Sequence, residues 1–361
     1  MTVSPGPLRW LLAPPGLLYR GAVALRNLLY ERGVLRSVHA GVPVISVGNL
    51  TLGGSGKTPF VAYLAARMHA EGRRIAIASR GYGGRRHDAP IVVSEGAGAL
   101  ATAEEAGDEP VLLSELARGA AVIVCRDRAA AALFARDRLG SQIILLDDGF
   151  QHRRLHRDAD LLLIDAFEGI GNGRMLPLGP LREPAGEMRR AHAIVVTGAA
   201  EDLRAGTDRI RGVMRRLGLE TPLFTCERVV AGFLRAETEE PVDAGVLKGM
   251  RVLAFSGIAQ PRSFESDLRA SGLSLAGALR FRDHQRFAPV HLERIRAAAR
   301  EAGADLIVTT EKDRMRLGTA RLGPPLYTLR IRLAPSREEE LWRFLSDRIS
   351  SSPAGAGSPV F

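Results

Sequence analysis

Gly53-Gly54-Ser55-Gly56-Lys57-Thr58 follows the apolar run Val42–Val47 and precedes a segment that carries Phe60, Leu64 and Met68 on one helical face. A strand, a glycine-rich turn and a helix in that order predict a phosphate-binding loop. The glycines let backbone N–H groups curl round phosphate oxygens, and the helix N-terminus adds partial positive charge. Lys57 is placed to reach the β/γ oxygens and Thr58 to ligate magnesium. The usual motif has glycine five residues before Gly56, where this chain has Thr51. Strand, glycine density and helix outweigh that departure, so the segment Thr51-Leu52-Gly53-Gly54-Ser55-Gly56-Lys57-Thr58 is expected to bind nucleotide.

Outward from this loop, short apolar runs alternate with helical patterns: Ile75–Ala78, Ala121–Val124, Ile143–Leu146, Leu161–Ile164 and Ile194–Val196. Runs scarcely broken by polar residues predict strands buried on both faces, hence a mostly parallel α/β sheet of the P-loop NTPase kind flanked by helices. Two later runs, Val252–Phe255 and Leu306–Val308, predict a second, smaller α/β domain. A length of 361 residues agrees with two domains at about 150 residues each. The expected division is an N-terminal amphipathic helix region over 1–36, a P-loop domain over 37–222, a connecting ribbon or linker over 223–248, a smaller domain over 249–349, and a disordered tail over 350–361.

Fifty Lys and Arg against forty Asp and Glu leave a net charge of +10, which points to anionic partners: phosphates, nucleic acid or an acidic membrane surface. Aromatic residues make up only 5% and no recognition module is present, which argues against nucleic acid. Cys125 and Cys226 lack metal or redox spacing and read as buried small hydrophobes in a reducing compartment. The Leu-rich stretch Leu8–Leu35 resembles a signal or membrane span only at first sight. Pro14-Pro15 divides it, Arg20 and Arg26 interrupt it, and no apolar run reaches the roughly 18 residues of a span. From Pro15 the pattern is an amphipathic helix with Leu18, Ala22, Leu25 and Leu29 on one stripe and Arg20, Asn27 and Glu31 opposite. Periodicity allows this helix either to pack on the core or to lie in a membrane interface.

A P-loop enzyme needs a carboxylate at a neighbouring strand end to hold magnesium, and Asp147 follows Ile143–Leu146, with Asp148 beside it. The basic patch Arg153, Arg154, His156 and Arg157 comes just after Gly149-Phe150-Gln151-His152. Ser79-Arg80-Gly81-Tyr82-Gly83-Gly84 leaves another strand end, where α/β sheets place ligands. Asp108, in Gly107-Asp108-Glu109-Pro110, reads either as a helix cap or as a catalytic base. In the later part of the chain, Asp283-His284-Gln285 and Thr309-Thr310-Glu311-Lys312-Asp313 stand out. Lys312-Asp313 lacks the spacing of a guanine-reading motif, so GTP is not expected. A P-loop metallochaperone or biosynthetic NTPase is the alternative class, but neither a cysteine or histidine cluster nor a guanine motif supports it.

Together these stretches resemble the tetraacyldisaccharide 4′-kinase family of lipid A biosynthesis. The likeness runs in order through Val47-Gly48-Asn49, Gly53–Pro59, Ser79–Gly84, Gly107–Pro110, Asp147–His152, Gly171–Pro184, Phe255-Ser256-Gly257-Ile258, Asp283-His284 and Thr310–Asp313. The resemblance implies transfer of the γ-phosphate of ATP, with Mg2+, to the 4′ hydroxyl of a tetraacylated glucosamine disaccharide 1-phosphate, forming lipid IVA. It implies that Asp108 is the general base, that His284 reaches over from the second domain to orient and tune it, and that Lys57 acts in catalysis. It further implies that Tyr82, Arg128, Gln151, Arg182 and Glu183 line the cleft. The implied setting is peripheral, on the cytoplasmic face of the inner membrane of a Gram-negative bacterium, with the lipid A precursor and the membrane surface as partners and neither nucleic acid nor a protein partner inferred.

Overall fold

Val44–Gly48 (β1) is buried at every position, as its unbroken apolar sequence requires of a strand covered on both faces. In the computed structural model, which describes residues 8–318 and 320–351, it pairs in parallel with Ile143–Asp147 (β5) on one side and Ala159–Asp165 (β6) on the other. Ile75–Ser79 (β2) and Ala121–Val124 (β4) extend the sheet beyond β5 in the same direction. Ile91–Ser94 (β3) closes that edge antiparallel to β4. On the other side β6 pairs with Ala193–Gly198 (β7), and β7 with the first part of Leu223–Arg235 (β8). The predicted apolar runs are therefore strands within a residue or two. The mostly parallel α/β arrangement is as expected.

The segment expected to be a connecting ribbon or linker is in large part β8 itself, 13 residues long and integral to the sheet. The short Pro241–Val242 (β9) pairs with its far end. Its alternating sequence reflects partial burial rather than looseness. Through β8 the sheet continues, antiparallel, into Leu326–Pro335 (β13), and then in parallel through Leu306–Thr310 (β12), Arg251–Ser256 (β10) and Ser274–Arg280 (β11). All 13 strands among the described residues thus form one sheet. Because β8 and β13 meet antiparallel, the later strands run opposite to the earlier ones. The sheet turns back on itself, since side chains beyond the carboxyl end of β12 reach residues at the carboxyl edge of the β1 half. The P-loop helix Lys57–Ala70 packs Phe60, Leu64 and Met68 fully out of solvent, each worth about 1.5–3 kcal/mol of burial.

The N-terminal helix runs Leu8–Glu31 and includes Pro14 and Pro15, so it starts earlier than the sequence predicts. Two prolines remove two backbone donors without ending it. Its stripe is also oriented otherwise than a core-packing helix requires. Leu18 is 77% exposed and Leu25 58%, with Leu17 and Leu28 exposed beside them and only Leu29 half-buried. The opposite face packs: Val23 and Asn27 are buried, Tyr19 donates its hydroxyl hydrogen bond to the Arg182 carbonyl, and Arg26 pairs with Glu183. Among the described residues no helix is long and apolar enough to cross a membrane. The expected disordered tail over 350–361 lies outside the described residues from 352 on, and Ser350 ends the helix Glu338–Ser350.

Candidate active site

Gly56 sits at φ 73°, a left-handed conformation open to glycine, and this turns the chain from the loop into the helix Lys57–Ala70. No side chain caps that helix, so its first N–H groups remain for an anionic ligand. The loop is held from behind by a Thr197 hydroxyl donating to the Ser55 carbonyl at 2.9 Å. Ser55 Oγ, Asn49 Oδ1, Asp148 Oδ1, Arg128 Nε and Arg182 Nε are buried yet have no hydrogen-bond partner. Buried polar atoms seldom stay unpaired, so their gathering round a phosphate-binding loop fits an ATP site.

Asp147 ends β5, is 2% exposed, and accepts from the Ser79 hydroxyl at 3.1 Å. Burial, with Glu109 and Asp148 adding repulsion, pushes its carboxyl up to about 7. A divalent cation there would remove that penalty. Thr58, 2% exposed, opens the helix on the neighbouring element. Among the described residues no three His, Cys, Asp or Glu side chains form a metal cage of their own. That suits magnesium, which binds through one or two protein groups together with substrate phosphates. Thr58 and Asp147 are the residues that would hold it. Asp148 differs from the expected metal-shell role in its partners. At φ 53° it turns toward Arg182, 2.7 Å from its Oδ2, and toward Lys57, 3.5 Å from its Oδ1. Burial raises its carboxyl, but Lys57 and Arg182 more than offset this and hold it at about 2.

Asp108 opens the helix Asp108–Leu116 but caps nothing with its side chain, since the N-cap is Gly107. Gly107 has φ 92°, and a Cβ there would lie 2.5 Å from the Tyr82 carbonyl; a Cβ on Gly84 would lie 2.5 Å from Gly107 N. The glycine loop after β2 therefore packs backbone to backbone on the residue that aims Asp108. Asp108 is 5% exposed. Its Oδ2 lies 3.4 Å from His284 Nδ1 and accepts from Arg316 Nε at 2.7 Å and from Arg316 NH2. Burial alone would raise this carboxyl; His284 and Arg316 outweigh it and hold it well below the usual carboxylate range. The hydrogen bond with Asp108 raises His284 in turn. His284 comes from the turn after β11, at φ 56°, and Tyr82 lies edge-on to its ring at 5.2 Å. Beside this pair, Lys312 Nζ donates to Glu109 at 2.5 Å, and Lys312 pulls the Glu109 carboxyl down.

Of the remaining expected residues, Arg128 is 4% exposed at the head of the helix after β4, with NH1 donating to the Cys125 and Arg126 carbonyls. Gln151 donates to the Asn49 carbonyl and accepts from Arg182. Glu183 makes its side-chain ion pairs with Arg26 and Arg190, not with the other expected cleft residues. It is 1% exposed and closed between Arg26 of the N-terminal helix and Arg190, so two cations satisfy the carboxylate that burial raises. The sequence does not point to Arg316. Its only local signal is the three-residue spacing from Asp313, which it contacts at 3.0 Å. A helical i,i+3 pair is common enough to be uninformative.

The family model described as tetraacyldisaccharide-1-P 4′-kinase matches residues 8–350. A tetraacyldisaccharide 4′-kinase of Anaeromyxobacter sp. (strain K) is 44% identical over 331 residues, 91% of this chain and 87% of that protein. One of Geobacter metallireducens is 42% identical over 317 residues, covering 87% and 90%. A crystal structure of the "apo" form of LpxK from Aquifex aeolicus in complex with ATP superposes with a TM-score of 0.75 at 34% identity, covering 95% of this chain and 99% of that one.

Proposed function

Because this chain belongs to the tetraacyldisaccharide-1-P 4′-kinase family, we propose that its cleft brings together Lys57, the Asp147 carboxylate and the Asp108–His284 pair to carry out that family's reaction. The reaction transfers the γ-phosphate of ATP to the 4′ hydroxyl of tetraacyldisaccharide 1-phosphate, yielding lipid IVA. It requires ATP and magnesium. Magnesium, when bound, neutralises charge on the nucleotide phosphates as it shifts toward the leaving ADP. Lys57 and the helix N-terminus bind and orient the phosphates, and Arg128 and Arg182 add positive charge nearby. Asp108 takes the hydroxyl proton as the new bond to phosphorus forms, because a sugar hydroxyl is too weak an acid to lose it beforehand.

The observation that carries this reading is the position of Asp108: a buried, ionised carboxylate with a histidine partner, at the helix start packed by the glycine loop after β2, across the cleft from a second set of strands. In this reading the P-loop body over 37–222 binds ATP, and the body over 249–349 supplies His284, Lys312 and Arg316. β8 with its following ribbon joins them. The acceptor resides in a bilayer, and the exposed Leu17, Leu18, Leu25 and Leu28 face supports peripheral docking on the cytoplasmic side, where ATP is available. Arg26 does not serve lipid phosphate in this account, since Glu183 holds it.

The test is transfer of radiolabelled γ-phosphate to purified tetraacyldisaccharide 1-phosphate, with the position of the new phosphate established by mass spectrometry. The parent should label the 4′ position only with Mg2+ present. Lys57→Ala should fold and lose about two to three orders of magnitude in turnover. A parent that labels nothing, or a Lys57→Ala protein with near-normal transfer, overturns the assignment.

A further inference from the structure

Arg316 is the most completely engaged cation in the cleft. A guanidinium has five N–H donors in a planar fork. Here Nε reaches Asp108 Oδ2 at 2.7 Å and NH1 reaches the Gly257 carbonyl at 2.8 Å and Asp313 Oδ1 at 3.0 Å. NH2 reaches Asp108 Oδ2 and His284 Nδ1, the latter at 3.1 Å. Its side chain is 7% exposed. Asp313 accounts for only one edge of the fork: its Oδ2 accepts from Gly257 N at 3.0 Å and from the Thr310 hydroxyl at 2.7 Å, its Oδ1 takes NH1, and Nε and NH2 are left for Asp108. One edge of the fork is thus fixed to the β10–β12 half, and the other is presented to the Asp108–His284 pair.

Two consequences follow from that edge. Among the described residues every hydrogen bond to Asp108 falls on Oδ2. Oδ1 faces the glycine loop instead, 3.9 Å from where a Cβ on Gly83 would stand. Oδ1 is therefore the oxygen left to meet an acceptor hydroxyl. Secondly, the same edge of the fork meets His284 as well as Asp108. Arg316 NH2 lies 3.1 Å from His284 Nδ1, which is itself 3.4 Å from Asp108 Oδ2, so one nitrogen of the fork braces both members of the pair. Nε2 faces Asp283 at 3.9 Å.

We propose that Arg316 is a positioning residue for the phosphoryl transfer: it holds Asp108 through Oδ2 and braces His284 against it, so that Asp108 Oδ1 alone receives the acceptor proton. In the step it serves, the acceptor oxygen bonds to the γ-phosphorus, the bond from phosphorus to the bridging oxygen of ADP breaks with its electron pair leaving on ADP, and the hydroxyl proton passes to Oδ1. Arg316 neither gives nor takes a proton. The inference rests on Asp108 as base, and the experiment separates the two.

Arg316→Lys keeps the charge but cannot fork onto both members of the pair. It should lower kcat about tenfold or more while leaving the KM for ATP near the parent value. Arg316→Met should lose more and should also move the acid limb of kcat/KM upward, because Asp108 then loses a cation that keeps it ionised. The other charges facing Asp108 stay in place: His284 and Asp283 from the turn, Lys312 and Asp313 from the helix Glu311–Leu317, and Glu109 from its own helix. In an Asp108→Asn background, Arg316→Lys should add almost nothing. If Arg316→Met does not fold, Arg316→Lys and the double variant decide. Folded variants with parental kcat and pH profile overturn the proposal, as does a loss confined to the KM for ATP or one that multiplies with Asp108→Asn. A fully active Asp108→Asn protein would instead overturn the base assignment itself.

Discussion

Asp108 and His284 touch through one oxygen and one nitrogen, which decides how their losses combine. If both serve the same proton transfer, Asp108→Asn removes about two to four orders of magnitude in kcat. His284→Ala then acts through the same step, and the double variant should be little worse than Asp108→Asn alone. Steady-state kinetics on the three proteins checks this; independent, multiplying losses would mean separate roles. A second residue gives a stability test. Glu311 is buried, and burial pushes its carboxyl up to about 7, only partly offset by Arg330 at 3.4 Å. An acid whose folded value lies above its unfolded value of about 4.3 stabilises the fold fully below that unfolded value and loses the contribution as pH rises through about 7. Glu311→Gln should therefore match the parent near pH 4 and exceed it at pH 8, by up to about 3 kcal/mol. Denaturant unfolding at the two pH values measures the difference, and equal stabilities at pH 8 would reject it. At this scale the sequence shows residue types but not their partners. Asp108 reads equally well as a cap until Gly107 is seen to occupy that place. Glu183 reads as a cleft residue, with no sign in the sequence that Arg26, 157 positions away, closes over it.

Strands buried on both faces declare themselves by uninterrupted apolar runs, and for that reason β1, β2, β4, β5 and β6 are readable from sequence. β11 and β13 are not, because their half-exposed positions mix Ser, Arg and Thr with the apolar residues. β8 reads as a ribbon or linker for the same reason. The N-terminal helix is the instructive case, since its periodicity is plain but says only that one stripe is apolar. Which face packs depends on Tyr19, Val23 and Asn27 meeting the protein, a tertiary fact. Because Leu17, Leu18, Leu25 and Leu28 are exposed, replacing all four by Ser should leave the fold within about half a kcal/mol per site. The same change removes the apolar area available to an acyl region, where each Leu is worth about 1.5–3 kcal/mol if fully buried. Sedimentation with anionic liposomes should fall sharply, and the apparent KM for membrane-borne acceptor should rise. Activity on detergent-dispersed acceptor should change far less. Undiminished liposome binding by this folded variant would move the membrane contact elsewhere.

Across the whole molecule, the continuous sheet and the cleft make opposite demands. One sheet through β8 favours a single cooperative unit, whereas opposing bodies across a cleft favour independent ones. The balance lies in what spans the cleft besides β8. Lys312 pairs with Glu109, Arg314 with Glu115 at 2.6 Å, Arg316 with Asp108, and Arg286 donates to the Gly83 carbonyl at 3.0 Å. Several of these groups are largely buried, so breaking one side leaves charge without a partner, a loss of about 3–5 kcal/mol for a fully buried pair. The bodies should therefore unfold together, and Mg·ATP bound to the P-loop should stabilise both although Lys57 and Thr58 lie in only one. A ligand at about 100 times its Kd adds about 2.7 kcal/mol, enough to move the transition by a few degrees. Calorimetry should show one transition that shifts as a whole with Mg·ATP. Lys57→Ala should keep the unliganded transition and lose most of the shift. Two transitions, of which nucleotide moves only the one belonging to the P-loop body, would show that the cross-cleft pairs do not join the halves, and that β8 is a hinge between separately stable units.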